Sequence, residues 1–153
     1  MKHIAVLLTV FNRKKQTISC LENLFSQKIP ESYSISVYLT DDGCTDGTAH
    51  AVLEQFPRKV NIIQGDGTLF WNRGMYKAWG VAAKDYDFDY YLWLNDDTDL
   101  RDGAVARLLE RSEANGDRAI IVGSTVDTAT HEIQTYGGRS ADGSIPRCKG
   151  QDV

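Results

Sequence analysis

Near the start of the chain lies the segment IAVLLTVFNR, residues 4–13. The apolar run from Ile4 to Val10 ends at Phe11 and the polar residues Asn12 and Arg13, and its β-branched residues favour a short strand. The run is too short to cross a bilayer and lacks the small-residue cleavage site of a signal peptide. No glycine follows it, so it matches neither a dinucleotide-binding fingerprint nor a P-loop. We therefore expect a strand of an α/β sheet without either phosphate motif.

Downstream of this strand, short β-branched runs alternate with amphipathic stretches. Ile18, Leu21, Leu24 and Phe25 share one face of a predicted helix, and three further stretches show the same helical spacing. This alternation predicts an α/β fold with a mostly parallel sheet flanked by helices. Residues 137–153 are rich in glycine, serine and charge and are predicted to be a loop. Strands after the first are predicted at residues 35–40, 60–64, 90–94, 119–123 and 132–136.

Composition limits the classes of function. The chain has 153 residues, of which 42% are hydrophobic and 25% are charged, as expected for one globular domain. Its formal net charge of -4 argues against a nucleic-acid partner, because phosphate neutralisation needs clustered Lys and Arg. Cys20, Cys44 and Cys148 fit neither a disulfide framework nor zinc-ligand spacing. We expect them to be reduced thiols in the cytoplasm.

Polar residues cluster where the predicted strands end. In an open parallel sheet, ligands bind beyond the carboxyl ends of the strands, so the loops there should form one crevice. The last of these loops, LNDDTDL at residues 94–100, is acidic, and carboxylate oxygens are the ligands of Mg²⁺ and Mn²⁺. The sequence therefore predicts a divalent metal site at this edge. The other loops supply Thr9, Asn12 and Arg13, then Asp41 and Asp42, then Asp66, Asn72 and Arg73.

Three motifs in order, each at a strand end, carry a resemblance to a known family. LTVFNR at 8–13, DDGCTDGT at 41–48 and LNDDTDL at 94–100, together with GDGTLFWNRGM at 65–75, resemble the family 2 glycosyltransferases of GT-A fold. The resemblance covers roughly residues 2–125 and implies a GT-A, Rossmann-like domain. It further implies inverting transfer of a sugar from a nucleotide diphosphate sugar to a saccharide or lipid-linked acceptor, commonly in cell-surface polysaccharide synthesis.

The resemblance also implies roles for individual residues. Asp42 is expected to accept a hydrogen bond from the base of the donor, with Thr9 at the wall of the same pocket. The family's metal motif is Asp-x-Asp, and two registers fit here, Asn95-Asp96-Asp97 and Asp97-Thr98-Asp99. Asp97 belongs to both registers, so we predict Asp97 and Asp99 as metal ligands for Mn²⁺ or Mg²⁺. The full set predicted to bind nucleotide is Thr9, Asn12, Asp41, Asp42, Asn72, Arg73 and Asp96.

The general base of the family lies well downstream of the metal motif, and no acid after Asp99 stands in a recognisable base motif. We therefore expect residues 1–153 to be a single nucleotide-sugar-binding domain, truncated before the acceptor-binding half, with its catalytic base outside this chain. Two alternatives stay open: a non-catalytic nucleotide-sugar-binding module, and a sugar-phosphate nucleotidyltransferase, which would need a Gly-rich basic loop after the first strand. We expect a cytoplasmic protein without a transmembrane segment, and peripheral contact with the inner face of the membrane stays open.

Overall fold

The computed structural model describes residues 1–127, 129–130 and 133–135. The chain divides into two compact units, residues 1–102 and residues 103 onward. The first unit contains a four-stranded sheet and three helices, and all four strands predicted there are confirmed. Its elements are β1 (Lys2–Val10), α1 (Lys14–Ser26), β2 (Tyr33–Asp41), α2 (Thr48–Gln55), β3 (Val60–Gln64), α3 (Phe70–Asp85) and β4 (Tyr90–Trp93).

The sheet has the strand order β3-β2-β1-β4, and every pair in it is parallel. The register places Val10 beside Asp41, and Asp41 beside Gln64. On the other side of β1, Leu7 pairs with Trp93, and the Leu94 N–H donates to the Leu7 carbonyl at 3.0 Å. The carboxyl ends of all four strands therefore meet at one edge, as the parallel-sheet prediction requires.

Both faces of β1 are buried, which explains why its sequence shows no alternation of polar and apolar residues. Ala5 and Leu7 on one face belong to a core cluster with residues of α3, including Met75 and Ala78. The alternate residues of β1 point to the opposite face of the sheet. They too are almost fully buried, at 2% exposure or less: Ile4, Val6, Leu8 and Val10.

Helix α3 approaches the sheet most closely at Gly74. A Cβ at this position would lie 2.3 Å from Cγ2 and 2.6 Å from Oγ1 of Thr9. The Thr40 hydroxyl donates to the Gly74 carbonyl at 2.9 Å, which ties the same turn of the helix to β2. Only glycine allows this spacing, so Gly74 sets the distance between α3 and the carboxyl ends of the central strands.

The second unit contains α4 (Ala104–Ala114), which confirms the fourth predicted helix, and an antiparallel pair, β5 (Thr125–Val126) and β6 (Ile133–Thr135). The strand predicted at residues 119–123 is wrong, because this segment has no strand partner among the described residues and Ile120 is 93% exposed. Strand propensity depends on pairing and burial, and neither is supplied here. The predicted sixth strand is confirmed at Ile133–Thr135, whereas residues 137–153 lie outside the described residues.

Two remaining expectations concern the thiols and the membrane. Cys20 and Cys44 are free, as predicted, while Cys148 lies outside the described residues. Within the described ranges, no helix combines the length and the apolar character needed to cross a bilayer.

The close contact at Gly74 gives a stability prediction with an internal control. Gly74→Ala should lower the free energy of unfolding by about 1–3 kcal/mol, because the added methyl group overpacks against Thr9. Gly80 lies in the same helix, and a Cβ there would meet no atom within 4 Å apart from its chain neighbours and the adjacent helix backbone. Gly80→Ala should therefore be neutral or stabilising by up to ~1 kcal/mol. Urea unfolding of both variants measures the difference. Equal effects of the two substitutions would contradict the close approach of α3.

Candidate functional site

The loops after β1 and β2 are joined by hydrogen bonds. Asn12 adopts a left-handed backbone conformation with φ of 51°, its N–H donates to Cys44 Sγ at 3.2 Å, and its Oδ1 accepts the Thr45 N–H at 2.7 Å. Asp41 is buried, and its Oδ1 accepts the Cys44 N–H at 2.7 Å. The two loops thus form one surface, and the predicted residues Asn12 and Asp41 hold it together.

Asp46 joins the amino-terminal ends of two helices. Its Oδ2 accepts the Lys14 N–H at the start of α1, and its Oδ1 accepts the Thr48 N–H at the start of α2, each at 3.0 Å. The Thr48 hydroxyl also donates to this carboxylate, and that bond is the largest contribution to the lowered pKa of Asp46. The N-cap position of α2 is Gly47, and Asp46 directly before it supplies the side-chain oxygen that accepts from the helix terminus.

Asp42 is buried beneath the loop that follows β3. Its Oδ1 accepts the N–H groups of Gly67 at 3.0 Å and Leu69 at 3.3 Å, and its Oδ2 accepts the N–H of Phe70 at 2.9 Å. Phe70 is the first residue of α3 and has a positive φ of 53°. One carboxylate therefore fixes both the 65–70 loop and the amino-terminal end of α3, where a negative charge is also favoured by the helix dipole.

The acidic run after β4 faces Arg13 in the loop after β1. Arg13 Nη1 donates to Asp97 Oδ2 at 2.7 Å and lies 3.4 Å from Asp96 Oδ1. The Arg13 and Asp97 side chains are about half exposed, at 48% and 52%, whereas the Asp96 side chain is only 9% exposed. The hydrogen bond to Asp97 and the charges of both acids raise the pKa of Arg13, so this guanidinium stays charged. Two carboxylates therefore share one cation at this edge.

Asp96 is the buried member of the pair and is incompletely satisfied. Its Oδ2 is buried and has no hydrogen-bond partner among the described residues. Burial raises the pKa of Asp96, while the positive charge of Arg13 acts in the opposite direction. A buried carboxylate oxygen without a partner is energetically unfavourable, so such groups in native structures call for an explanation such as a bound ion or a functional role.

A divalent cation fits this arrangement if the ligand completes its coordination. Among the described residues, no group of three or more His, Cys, Asp and Glu is arranged to enclose a metal. Asp96 and Asp97 fit an open site, because Mg²⁺ and Mn²⁺ are commonly bound by one or two carboxylates plus substrate phosphates. Asp99 is exposed and lies two residues after Asp97. Burial raises the pKa of the nearby Cys20 thiol to about 12, and the negative charges of Asp96, Asp97 and Asp99 act in the same direction.

An aromatic patch borders the acidic run. Trp71 Nε1 donates to Asn95 Oδ1 at 2.8 Å, and the Trp71 ring packs edge-on against Trp93 with centroids 5.7 Å apart. Trp93 in turn contacts Trp79 at 5.6 Å. Trp71, Trp79 and Trp93 are each between 41% and 48% exposed, so the patch is open to solvent beside the carboxylates. Trp71 thus links the first turn of α3 to the residue before Asp96.

Three predicted nucleotide-binding residues make fewer contacts with this edge. Thr9 lies under Gly74, and its buried Oγ1 has no hydrogen-bond partner in the described ranges. Asn72 and Arg73 lie exposed in the first turn of α3, and neither side chain forms a hydrogen bond within the described part of the chain. The structure thus brings Arg13, Asp96 and Asp97 into direct contact, and leaves Asn72 and Arg73 on the surface, close in sequence to Trp71.

Sequence reasoning placed Arg13 in the crevice and Asn95 in one register of the metal motif, but it predicted neither the contact of Arg13 with Asp97 nor the hydrogen bond from Trp71 to Asn95. Arg13 follows β1 and the acids follow β4, two segments more than 80 residues apart, so the contact depends on the strand order β2-β1-β4. The one available signal was the position of Arg13, in a loop predicted to lie at the same edge as the acidic run. Trp71 could be placed before an apolar helix, but its partner Asn95 could not be inferred from that position.

Comparisons with known proteins identify the family and the fold of the chain. The family model described as Glycosyl transferase family 2 matches residues 5–141, which is most of the chain. The chain belongs to glycosyltransferase family 2. The match contains the three motifs on which the resemblance was based, and the four-stranded parallel sheet with its helices is a Rossmann-like GT-A fold. A comparison with curated protein sequences finds no significant match.

Solved structures of glycosyltransferases share the fold of this family 2 member. TarS 1-349 from S. aureus matches with a TM-score of 0.60 and 21% identity, covering 76% of this chain and 33% of TarS 1-349. The mannosyltransferase PcManGT from Pyrobaculum calidifontis, in complex with GDP-Man and Mn²⁺, matches with a TM-score of 0.57 and 19% identity, covering 80% and 34%. TarS 1-349 in complex with UDP-GlcNAc matches with a TM-score of 0.59 and 21% identity, covering 76% of this chain and 32% of TarS 1-349. This chain thus spans about a third of the length of each of these three solved structures.

The three hydrogen bonds that backbone N–H groups donate to Asp42 give a second stability prediction. In Asp42→Asn one oxygen acceptor is replaced by an NH₂ group that faces a backbone N–H, so the variant should lose about 1–3 kcal/mol of unfolding free energy. Asp87 is exposed in the connection between α3 and β4, and Asp87→Asn should change stability by less than ~0.5 kcal/mol. Thermal and urea unfolding compare the two variants. If Asp42→Asn proved as stable as Asp87→Asn, Asp42 would not hold the 65–70 loop.

Proposed function

We propose that this chain binds a nucleoside diphosphate sugar at the carboxyl edge of the sheet, as the donor-binding domain of a glycosyltransferase. The observation that carries the proposal is the pair Asp96 and Asp97, two carboxylates at the end of β4, of which Asp96 has a buried oxygen without a partner among the described residues. An acidic edge would repel a diphosphate unless a cation lies between them. The pair therefore favours a ligand that binds together with a divalent metal.

In this proposal Asp97 is the principal metal ligand, and Asp96 and Asp99 assist it. A divalent cation, when bound, supplies Lewis acidity that offsets the negative charge developing on the leaving diphosphate. Arg13 and Arg73 are the cationic side chains that we assign to diphosphate oxygens. Arg13 lies beside Asp96 and Asp97, and Arg73 is exposed in the first turn of α3. Backbone N–H groups at the start of a helix also favour anions. These residues would hold the donor while the bond to its sugar breaks.

Recognition of the base is assigned to Asp42 with Thr9, as the family resemblance implies. The Asp42 carboxylate already accepts three backbone N–H groups, two at Oδ1 and one at Oδ2, which leaves acceptor capacity at Oδ2. A base N–H can therefore be accepted only by sharing Oδ2 with Phe70 or by displacing part of the 65–70 loop. Asn12 and Asp41 contribute by fixing the loops after β1 and β2.

The finer parts of the proposal rest on the family resemblance. Solved glycosyltransferases of the same fold have been described with UDP-GlcNAc and with GDP-Man and Mn²⁺, which supports a nucleotide sugar and a divalent metal as ligands of this class of domain. We propose that the sugar is transferred with inversion to a saccharide or lipid-linked acceptor in cell-surface polysaccharide synthesis, on the cytoplasmic side of the membrane. No described residue is assigned as the general base.

Titration calorimetry with UDP, dTDP and GDP, each with and without Mn²⁺, tests the proposal. At least one nucleotide should bind, with an affinity that rises about tenfold or more when Mn²⁺ is present, which is within the usual range of coupling between two ligands. Absence of metal-linked binding by all three nucleotides would contradict the assignment. Binding of equal strength with and without metal would instead favour a nucleotide-binding module that does not use the acidic run.

Substitution of the acids tests the register of the metal motif. Asp97→Ala should abolish the effect of Mn²⁺ on nucleotide affinity and leave stability within ~0.5 kcal/mol, because its side chain is 52% exposed. Asp99→Ala should retain part of the metal effect, since Asp99 is predicted to assist. If Asp99→Ala removed the metal effect and Asp97→Ala did not, the principal ligand would be Asp99 and the assignment to Asp97 would be wrong.

A further inference from the structure

The contact between Arg13 and the acidic run occupies the carboxylates assigned to the metal. Nη1 of Arg13 is 2.7 Å from Asp97 Oδ2 and 3.4 Å from Asp96 Oδ1, so the guanidinium interacts with one oxygen of each acid. Asp96 Oδ2 remains buried and finds no partner in the part of the chain that the structure describes, on a side chain that is only 9% exposed. A single guanidinium thus neutralises part of the cluster and leaves one oxygen of Asp96 unused.

A cation bound by the same oxygens would meet the positive charge of Arg13. Two carboxylates and one guanidinium leave a net charge of one negative unit, which attracts a divalent ion less than the two acids alone would. A nucleoside diphosphate changes this balance, because its phosphate oxygens attract both the metal and an arginine. Arginine suits such an exchange, since its planar fork binds carboxylate and phosphate oxygens with similar geometry.

Because the ion pair is exposed, the Arg13 guanidinium can leave the carboxylates for another anion. Arg13 and Asp97 are each about half exposed, and ion pairs of this kind contribute little to stability. Arg13 directly precedes α1, and the backbone at this point is fixed by other contacts: the Thr17 N–H and hydroxyl both donate to the Arg13 carbonyl, each at 2.9 Å. The side chain can therefore move while its backbone stays in place.

We propose that Arg13 is a counter-cation that holds Asp96 and Asp97 in the absence of ligand and transfers to the diphosphate when metal and nucleotide bind together. The inference rests on the proposed donor site and adds that metal and nucleotide bind to it together rather than metal binding first. Metal alone binds weakly, because it must displace Arg13 without offering the guanidinium another partner. The metal–nucleotide complex binds tightly, because the displaced guanidinium gains phosphate oxygens. Arg13 is thus a positioning residue that couples the two ligands.

The test compares Arg13→Gln with Lys15→Gln in the full chain. Lys15 is exposed in the first turn of α1 and has no ion pair within the described residues, so its substitution removes the same charge without the contact. Electron paramagnetic resonance measures free Mn²⁺ during titration without nucleotide, and calorimetry measures UDP, dTDP and GDP in saturating Mn²⁺. Circular dichroism confirms that each variant is folded.

Arg13→Gln should bind Mn²⁺ alone about tenfold more tightly than the unmodified chain and bind nucleotide in saturating Mn²⁺ about tenfold more weakly, so that the two ligands lose most of their coupling. Lys15→Gln should leave both affinities within about twofold. Arg13→Lys keeps the charge without the fork, so it should leave the affinity for Mn²⁺ alone weak and still lower nucleotide affinity.

The outcomes separate this inference from the proposed function. If the unmodified chain shows no Mn²⁺-dependent nucleotide binding, the donor site itself is refuted. If that binding is present but Arg13→Gln does not tighten Mn²⁺ binding, or does not weaken nucleotide binding, the donor site stands and the role of Arg13 is refuted. Should Arg13→Gln fail to fold, Arg13→Lys decides, since unchanged nucleotide affinity in that variant would refute transfer of the guanidinium to phosphate.

Discussion

The parallel pairing of β1 with β2 on one side and β4 on the other is the interaction on which the site depends. It brings three loops that are far apart in sequence to one edge, since Val10 pairs with Asp41 and Leu7 pairs with Trp93. The close approach of α3 at Gly74 then fixes the fourth loop above the same edge. Because β1 is central and buried on both faces, this edge is built on a rigid part of the molecule, as precise placement of side chains requires.

Two buried carboxylates at this edge have opposite environments. Asp42 accepts three backbone N–H groups, so most of its acceptor capacity stabilises the 65–70 loop and the start of α3. Asp96 has one oxygen near Arg13 and one oxygen without a partner among the described residues. The described residues therefore do not compensate the free-energy cost of burying this carboxylate. Asp42 thus mainly holds the architecture and keeps acceptor capacity only at Oδ2, whereas Asp96 keeps one whole oxygen without a partner among the described residues. We propose that donor binding would depend on this difference more than on the number of acids in the run.

The sequence predicts the local features of this chain well and the non-local ones poorly. Strand β3 is predicted to the residue at 60–64, because a β-branched run between turn residues is sufficient evidence for a strand that is later paired. The equally β-branched segment at 119–123 fails, because no strand among the described residues pairs with it and its side chains stay largely exposed. Strand formation needs a partner that a local pattern does not reveal.

The same distinction applies to the site. Asp96 and Asp97 could be predicted, since an acidic run directly after an apolar strand is visible in the sequence alone. The ion pair with Arg13 could not, because it requires β1 and β4 to be neighbours in the sheet. The amide contacts of Asp42 depend on the folded path of the 65–70 loop, so its structural role was also hidden. Residue types were thus predictable, whereas their partners followed from strand order and loop conformation.

We propose that metal and nucleotide meet at the carboxyl end of β4, and paramagnetic broadening in amide NMR spectra can locate the metal. Mn²⁺ added with a nucleoside diphosphate should broaden the signals of Arg13 and of residues 95–99 first, because the effect falls steeply with distance from the ion. Signals of the exposed acids Asp87 and Asp89, in the connection before β4, should remain sharp at the same concentration. Broadening centred on Asp87 and Asp89, with residues 95–99 unaffected, would contradict the account.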